Sequence, residues 1–317
     1  MKNTDKQKVS VIIPAYNAGN TIADCIDALL AQDYPKEGYE IIVVNDASTD
    51  ETPMILEKYE NRGLISVVHH PENRALAAAR NSGINVATGD ILLFIDSDII
   101  VLPDFIRKHM DYYANPEIFG VFSHLRPSPD IKYDKYQRYL YESKRGVKKH
   151  SPKNPIPYWA FLFTASSIRK SVIDQVGMFD ENITHYGGED TDFSYRIAIN
   201  YPKGLFFARE IEVFHKHYRP IGEALKNVHS FGHFVVPYLI EKHPEFDKLY
   251  GYSFIFPPKT VTGLLKKTAG IILKSRPVFS IINTFYRIFP YPVSNIFVRL
   301  SLASALWRGI ALSKTNS

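Results

Sequence analysis

Four short apolar runs separated by stretches of helical periodicity, all within the first hundred residues, restrict this chain to few architectures. Residues 9–13, 41–44, 64–68 and 91–95 are rich in Val, Ile and Leu and carry few polar interruptions. Strands covered on both faces have that composition, whereas half-exposed strands alternate apolar and polar residues. Between the first two runs, Ile22, Cys25, Ile26, Leu29 and Leu30 recur at helical spacing behind Asn20 or Thr21 as N-cap. A short helix is predicted around residues 51–59, and residues 75–87 are helical by composition. Strand and helix in alternation predict a Rossmann-like α/β fold, with a mostly parallel sheet and helices on both faces.

The remainder is less regular. Residues 103–157 carry many Tyr, Lys and Pro with weak periodicity and are expected to mix a helix with loops. A strand at 158–166, a short helix at 171–176, a Gly187-Gly188 turn into a helix ending near Ile199, and a strand at 206–214 follow. After Asp247 there is no Asp or Glu, yet ten Lys and Arg; the chain before Lys248 holds 28 basic and 33 acidic residues. A basic, apolar tail on an acidic body suits an anionic membrane surface and not a nucleic-acid groove. Residues 261–273, 278–289 and 293–312 share that texture. The last is long enough to span a bilayer, but Arg299 and Arg308 lie inside it, so in-plane amphipathic helices are expected, with a packed helical subdomain as the alternative. The division drawn is an α/β domain over 1–250 and a helical, membrane-associating region over 251–317. A single cysteine, Cys25, excludes an intrachain disulfide and a cysteine zinc cluster, and is expected as a buried structural thiol. The polar start, residues 1–8, lacks an apolar core for a secretory signal, so a cytoplasmic location is expected.

Ligands of parallel α/β sheets bind beyond the carboxyl ends of the strands. Here those ends read Pro14-Ala15-Tyr16-Asn17, Asn45-Asp46-Ala47-Ser48 and Asp96-Ser97-Asp98. No Gly-X-Gly-X-X-Gly follows the first strand and no Walker loop occurs, which argues against a dinucleotide oxidoreductase and a P-loop kinase. Carboxylates beside a diphosphate require a bridging hard cation, Mn²⁺ or Mg²⁺.

The chain resembles the family-2 inverting glycosyltransferases of the GT-A fold. The resemblance rests on Val9-Ser-Val-Ile-Ile-Pro-Ala-Tyr-Asn17, Val43-Val-Asn-Asp-Ala-Ser-Thr-Asp50, Ala78-Ala-Arg-Asn-Ser-Gly83, Gly89-Asp-Ile-Leu-Leu-Phe-Ile-Asp-Ser-Asp98 and Gly188-Glu-Asp-Thr-Asp192, in the family's order. It implies a nucleotide-sugar donor; the basic, apolar tail adds the expectation of a lipid-linked or surface-glycan acceptor met at the cytoplasmic membrane face. It implies that Asp46 contacts the nucleobase with Pro14, Ala15, Tyr16 and Asn17 beside it, that Asp96 lies near the ribose with Ser97, and that Asp98 ligates the metal. Arg80 and Glu189 would belong to the donor pocket, and Asp190 would be the general base. A histidine after the last strand, His215 in preference to His217, would bind the metal or the diphosphate. Each has a plainer reading: Asp46 and Asp50 as turn residues, Glu189 and Asp192 as helix N-terminal charges, Arg80 as an ion-pair partner, His215 as a surface residue. Tyr158 and Trp159 either line an acceptor groove or pack in the core. Ala75 stands where relatives commonly place glycine, Ala165-Ser166 replaces a frequent Gly-Asn pair, and no Gln-X-X-Arg-Trp follows Asp190. The last absence favours transfer of one sugar over processive synthesis. A catalytically inactive, membrane-associated scaffold is the alternative.

Overall fold

The computed structural model describes residues 7–151 and 154–313, so most of the polar start lies outside the described residues. Eight strands form one sheet: β1 (Val9–Ala15), β2 (Tyr39–Asn45), β3 (Ser66–His69), β4 (Ile91–Ile95), β5 (Ile99–Val101), β6 (Gly120–Pro127), β7 (Ala165–Arg169) and β8 (Leu205–His215). Their order is β3-β2-β1-β4-β7-β6-β8-β5. The four strands β3, β2, β1 and β4 are parallel neighbours. Beyond them the sheet is mixed, which departs in part from the mostly parallel expectation: β7 runs against both β4 and β6 and β5 against β8, while β6 and β8 are parallel. Parallel neighbours need a crossover of about a dozen residues or more. Only Asp96, Ser97 and Asp98 separate β4 from β5, so β5 pairs elsewhere, with the end of β8.

Alternation along the central strands sends side chains into two cores. Val9, Val11 and Ile13 of β1 with Ile91, Leu93 and Ile95 of β4 meet Cys25, Ile26 and Leu29 of the helix Ile22–Leu30 on one face. Ile12, Ile42, Leu92 and Phe94 meet Ala77 and Ile84 of the helix Ala75–Val86, and Phe193 and Ile197 of the helix Glu189–Asn200, on the other. Cys25 is fully buried, and burial raises its thiol pKa far above the usual range. Expected and observed elements agree to within about two residues over the first hundred. The expected strand at 158–166 is instead a 3₁₀ turn at Tyr158–Ala160, with β7 starting only at Ala165. Phe161 and Phe163 between them enter the core, where Phe163 packs 5.3 Å from Phe94 and 5.1 Å from Phe193. Apolar content there serves packing, not pairing.

The chain forms two compact units. One comprises the chain to Ile131, Lys144–Thr184 and Glu189–His217, and holds the sheet; the other comprises Lys132–Ser143, His185–Gly188 and the chain from Tyr218. The division follows His217, where sequence placed it after residue 250. Its cause is a helical run, Ile221–Ser230 continuing through a π turn at Phe231–Val235 into Val236–Lys242, which packs on the helix Ser294–Leu312. A β-carbon at Gly309 would stand 2.1 Å from the His229 carbonyl oxygen, and one at Gly232 2.3 Å from that of Leu306. Only glycine lets these backbones touch. Ser294–Leu312 is thus the centre of its unit, with Val298, Ser301, Ser304, Ala305 and Ile310 buried. The helices Val261–Lys274 and Arg276–Ile288 pack beside it and expose more of their apolar surface. No helix among the described residues is long and apolar enough to cross a membrane.

Candidate active site

Register brings the three polar strand ends together. Ala15 stands opposite Asn45, and Ile12 opposite Phe94, so β1, β2 and β4 finish at one edge of the sheet. The first two loops are stitched to each other. The Asn17 amide donates to Ser48 Oγ (3.0 Å), Asn17 Oδ1 accepts from the Thr49 amide (2.8 Å), and Asp50 accepts from the amides of Gly19 (2.9 Å) and Thr52 (3.0 Å). Asn17 and Ala47 take left-handed backbone angles, φ 50° and 57°. Asp50 therefore holds the turn, as its plainer reading had it. Tyr16 projects from the same edge with 53% of its surface exposed.

Asp46 is buried. Its Oδ1 accepts from the Arg74 amide at 2.9 Å and lies 2.6 Å from His70 Nδ1, while His70 Nε2 lies 2.8 Å from Ser82 Oγ. This relay fixes the Asp46 carboxyl group at the end of β2. Sequence reasoning missed His70 and Ser82; the His69-His70 pair at the end of β3 was the available signal.

Arg80 organises the other half. Its side chain is 1% exposed on the helix Ala75–Val86. Nη1 donates to Asp190 Oδ1 at 2.7 Å and reaches Glu189 Oε1 at 3.3 Å, while Nη2 reaches Asp96 Oδ1 at 3.4 Å. One cation thus faces three carboxylates. Burial alone would favour a neutral guanidinium, but the charges of Asp190, Asp96 and Glu189 hold it firmly protonated. Burial raises Asp96 to about 6 against Arg80's opposing pull; 30% of its side chain meets water, which moderates the rise. Burial and the neighbouring Asp190 charge raise Glu189. Asp190 also accepts from the Phe163 amide through Oδ2 at 3.2 Å.

Asp98 Oδ2 lies 3.2 Å from His215 Nε2, and sheet register explains why: β5 pairs Ile99 with His215. Burial pushes Asp98 upward, but the His215 hydrogen bond and the charges of His215 and His217 bring it below the usual carboxylate range. Ser97 occupies the turn between the two aspartates. Asp192, fully buried, accepts from Arg196 Nε at 3.0 Å, which makes it a packing residue of its own helix.

The sequence model of glycosyl transferase family 2 matches residues 10–177, more than half of the chain. The chain belongs to glycosyl transferase family 2. It is a glycosyltransferase. YfnE, an uncharacterized glycosyltransferase of Bacillus subtilis, is 24% identical over 88% of this chain and 82% of its own. The glycosyltransferase AglE of Haloferax volcanii is 28% identical over 71% of each chain. Among solved structures, the mannosyltransferase PcManGT of Pyrobaculum calidifontis superposes with TM-score 0.66 at 20% identity, over 96% of this chain and 87% of its own. S. aureus TarS 1–349 does so with TM-score 0.55 at 17% identity, over 98% and 92%. At these identities the structural likeness is one of fold.

Within this family 2 fold, each residue of Arg80-Asn81-Ser82-Gly83 has a separate task. Arg80 gathers the carboxylates and Ser82 completes the Asp46 relay. Asn81 ties down the loop at Phe179, donating to its carbonyl (2.9 Å) and accepting from its amide (3.0 Å). A β-carbon on Gly83 would lie 2.4 Å from Ile12 Cγ2, so glycine seats the helix on β1. Among the described residues no group of three or more His, Cys, Asp or Glu is placed to hold a metal unaided. Asp98 and His215 nevertheless suit a divalent cation shared with a ligand. Asp98 Oδ1 is buried with no hydrogen-bond partner, and an oxygen with an imidazole nitrogen is a donor pair that Mn²⁺ accepts. Trp159 is 40% exposed beside His150, while Tyr158 packs against Tyr195.

Proposed function

We propose that this glycosyltransferase moves a single sugar from a nucleoside-diphosphate sugar, a UDP-hexose foremost, to a hydroxyl of a lipid-linked or surface-glycan acceptor with inversion. The observation that carries the reading is Arg80, which ties Asp96 on the donor strand end to Asp190 at the head of the helix Glu189–Asn200. In this reading Asp46, set by His70 and the Arg74 amide, takes a donor group of the nucleobase, and Tyr16 flanks it. Asp96 takes the ribose side with Ser97 beside it. Asp98 and His215 would hold Mn²⁺ or Mg²⁺ against the diphosphate, and the cation's contribution is to stabilise charge on that leaving group. Asp190, held in place by Arg80 and the Phe163 amide, accepts the acceptor's hydroxyl proton as that oxygen bonds to the anomeric carbon. The bond to the diphosphate breaks on the opposite side, so configuration inverts without a covalent intermediate. Glu189, whose charge burial disfavours, adds a second acid beside the base.

Support comes also from what the neighbours bind: PcManGT was solved with GDP-Man and Mn²⁺, and TarS 1–349 with UDP-GlcNAc. The helical unit, basic and apolar on its surface, would place the enzyme on the cytoplasmic face of a membrane, in contact with lipid through residues after 250. The test is a thermal-shift panel of UDP, GDP, dTDP and NAD with and without Mn²⁺. The expected result is metal-dependent stabilisation by one nucleoside diphosphate and none by NAD. No response to any diphosphate would point to the inactive scaffold instead.

A further inference from the structure

The second unit contains a cavity of about 460 Å³ lined by residues of three helices, within the range of small-ligand sites. Its walls divide by chemistry. Ile221, Leu225, Phe279 and Ala305 form an apolar side, and Lys226, His229, Arg287 and Arg308 bring cationic or protonatable groups to the same space. None of the lining residues is acidic. Arg308 is fixed in place, its guanidinium 4.8 Å above the Phe279 ring. Asn283 Oδ1 accepts from Ser301 Oγ at 3.0 Å, so its amide nitrogen is the part left to offer a ligand. Asp134, whose charge is felt at the lining Tyr286, is committed elsewhere: it accepts from the Tyr136 amide at 2.8 Å and the Tyr218 hydroxyl at 2.7 Å. Burial, then the charges of Arg308 and His233, keeps His229 below its usual range, as a strongly positive enclosure would.

A cavity lined by Lys226, Arg287 and Arg308, with no acid and an apolar wall, suits neither a neutral sugar nor a purely hydrophobic ligand. It suits an anion joined to a hydrocarbon. On the helix Arg276–Ile288, Phe279, Asn283 and Tyr286 face the cavity, while Ile281, Phe285 and Ile288 stand on the opposite side of the helix and are exposed, 53%, 41% and 67%. The first carbons of an alkyl chain would instead meet the apolar wall of Ile221, Leu225, Phe279 and Ala305 inside the cavity. We infer that this cavity binds the phosphate headgroup and first carbons of a phosphorylated amphiphile, such as a lipid phosphate, one molecule per chain. The inference extends the membrane reading above, from a surface that meets lipid to a site that selects one.

The experiment uses the full chain and dihexanoyl phosphatidic acid below its micellar concentration, a probe that requires no bilayer. Inorganic phosphate and dihexanoyl phosphatidylcholine are the comparisons. The short-chain phosphatidic acid should bind saturably, at least tenfold more tightly than either. Gly222→Phe supplies the decisive variant: a β-carbon at this lining position meets nothing within 4 Å, so a ring can be added beside the cavity to crowd a ligand without displacing backbone or removing a charge. It should weaken the probe at least tenfold, and Lys226→Gln with Arg287→Gln should do the same by removing cations. Equal binding of inorganic phosphate would reduce the site to a simple anion pocket and overturn the proposal. So would wild-type affinity in Gly222→Phe, or no binding of the probe by the wild type. Vesicle binding is measured separately, so loss of the membrane reading and loss of this site are distinguishable.

Discussion

Among the described residues Arg80 is the cation in direct contact with Asp96, Glu189 and Asp190, and its burial makes that role costly to replace. Arg80→Met would leave three carboxylates close together without a counter-charge. Breaking a buried ion pair by removing one partner destabilises by about 3–5 kcal/mol, and a denaturant titration should show a loss of that order, together with loss of transfer. Asp190→Asn should act differently. The amide keeps the shape and still accepts from the Phe163 amide, but takes up no proton, so kcat should fall at least ~100-fold while nucleotide affinity changes little. Undiminished transfer by this variant would show that another group is the base. Ala75 offers a gain instead. It sits at φ 67°, a left-handed angle that strains any β-carbon and that glycine adopts freely. Ala75→Gly should raise stability by about 0.5–1 kcal/mol, measurable as a higher denaturation midpoint with activity preserved. At this scale the sequence was informative wherever a residue stood at a strand end, because parallel strands converge there. It was silent on His70 and Ser82, whose tasks depend on register across separate elements.

Elements add buried polar chemistry that no motif announces. His109, on the helix Phe105–Tyr112, is fully buried between strands, with Nδ1 2.8 Å from Ser167 Oγ of β7 and Nε2 2.9 Å from Ser123 Oγ of β6. Burial pushes its pKa down to about 3 from an ordinary 6.5. The unfolded chain therefore binds a proton that the folded chain refuses in the interval from about 6.5 to about 3. This contribution is complete above the upper value and is lost as pH falls through the interval, at up to about 1.4 kcal/mol per pH unit. Urea midpoints at pH 7.5, 6 and 5 should fall more steeply for the wild type than for His109→Gln, which cannot titrate; equal slopes would remove His109 from the acid response. The serines that receive this histidine explain why β6 was not recognised. It reads Gly-Val-Phe-Ser-His-Leu-Arg-Pro, and its pairing with β8 slips between Ser123 and His124, so neither a continuous apolar run nor strict alternation survives. β5 escaped for another reason: three residues directly after Asp98 are too short to carry a period. Yet β5 is the element that sets His215 beside Asp98.

On the scale of the whole chain, the first four strands and the helices between them were legible because local periodicity marks each of them, while the helical unit was not. Its segments come from three separate stretches, and its central helix looks membrane-like by composition because small and apolar residues also suit a buried helix. Removing residues after 257 to test lipid contact would therefore extract the centre of a folded unit. Surface substitution is the appropriate test. Ile281 and Ile288 are exposed on one stripe of the helix Arg276–Ile288, and Leu265 is 71% exposed on the helix Val261–Lys274. Each side chain is worth about 1.5–3 kcal/mol when removed from water, and lysines and arginines near anionic lipid add about 1 kcal/mol each. Ile281→Ser with Ile288→Ser and Leu265→Ser should reduce flotation with phosphatidylserine-rich vesicles by at least ~100-fold and leave the melting temperature nearly unchanged, since these side chains already face water. Raising salt should weaken wild-type binding only in part, because the electrostatic share is screened and the apolar share is not. Wild-type protein that stays unbound at low salt would remove lipid contact from the account of this enzyme, and would leave the carboxylate cluster around Arg80 to act on a soluble glycan.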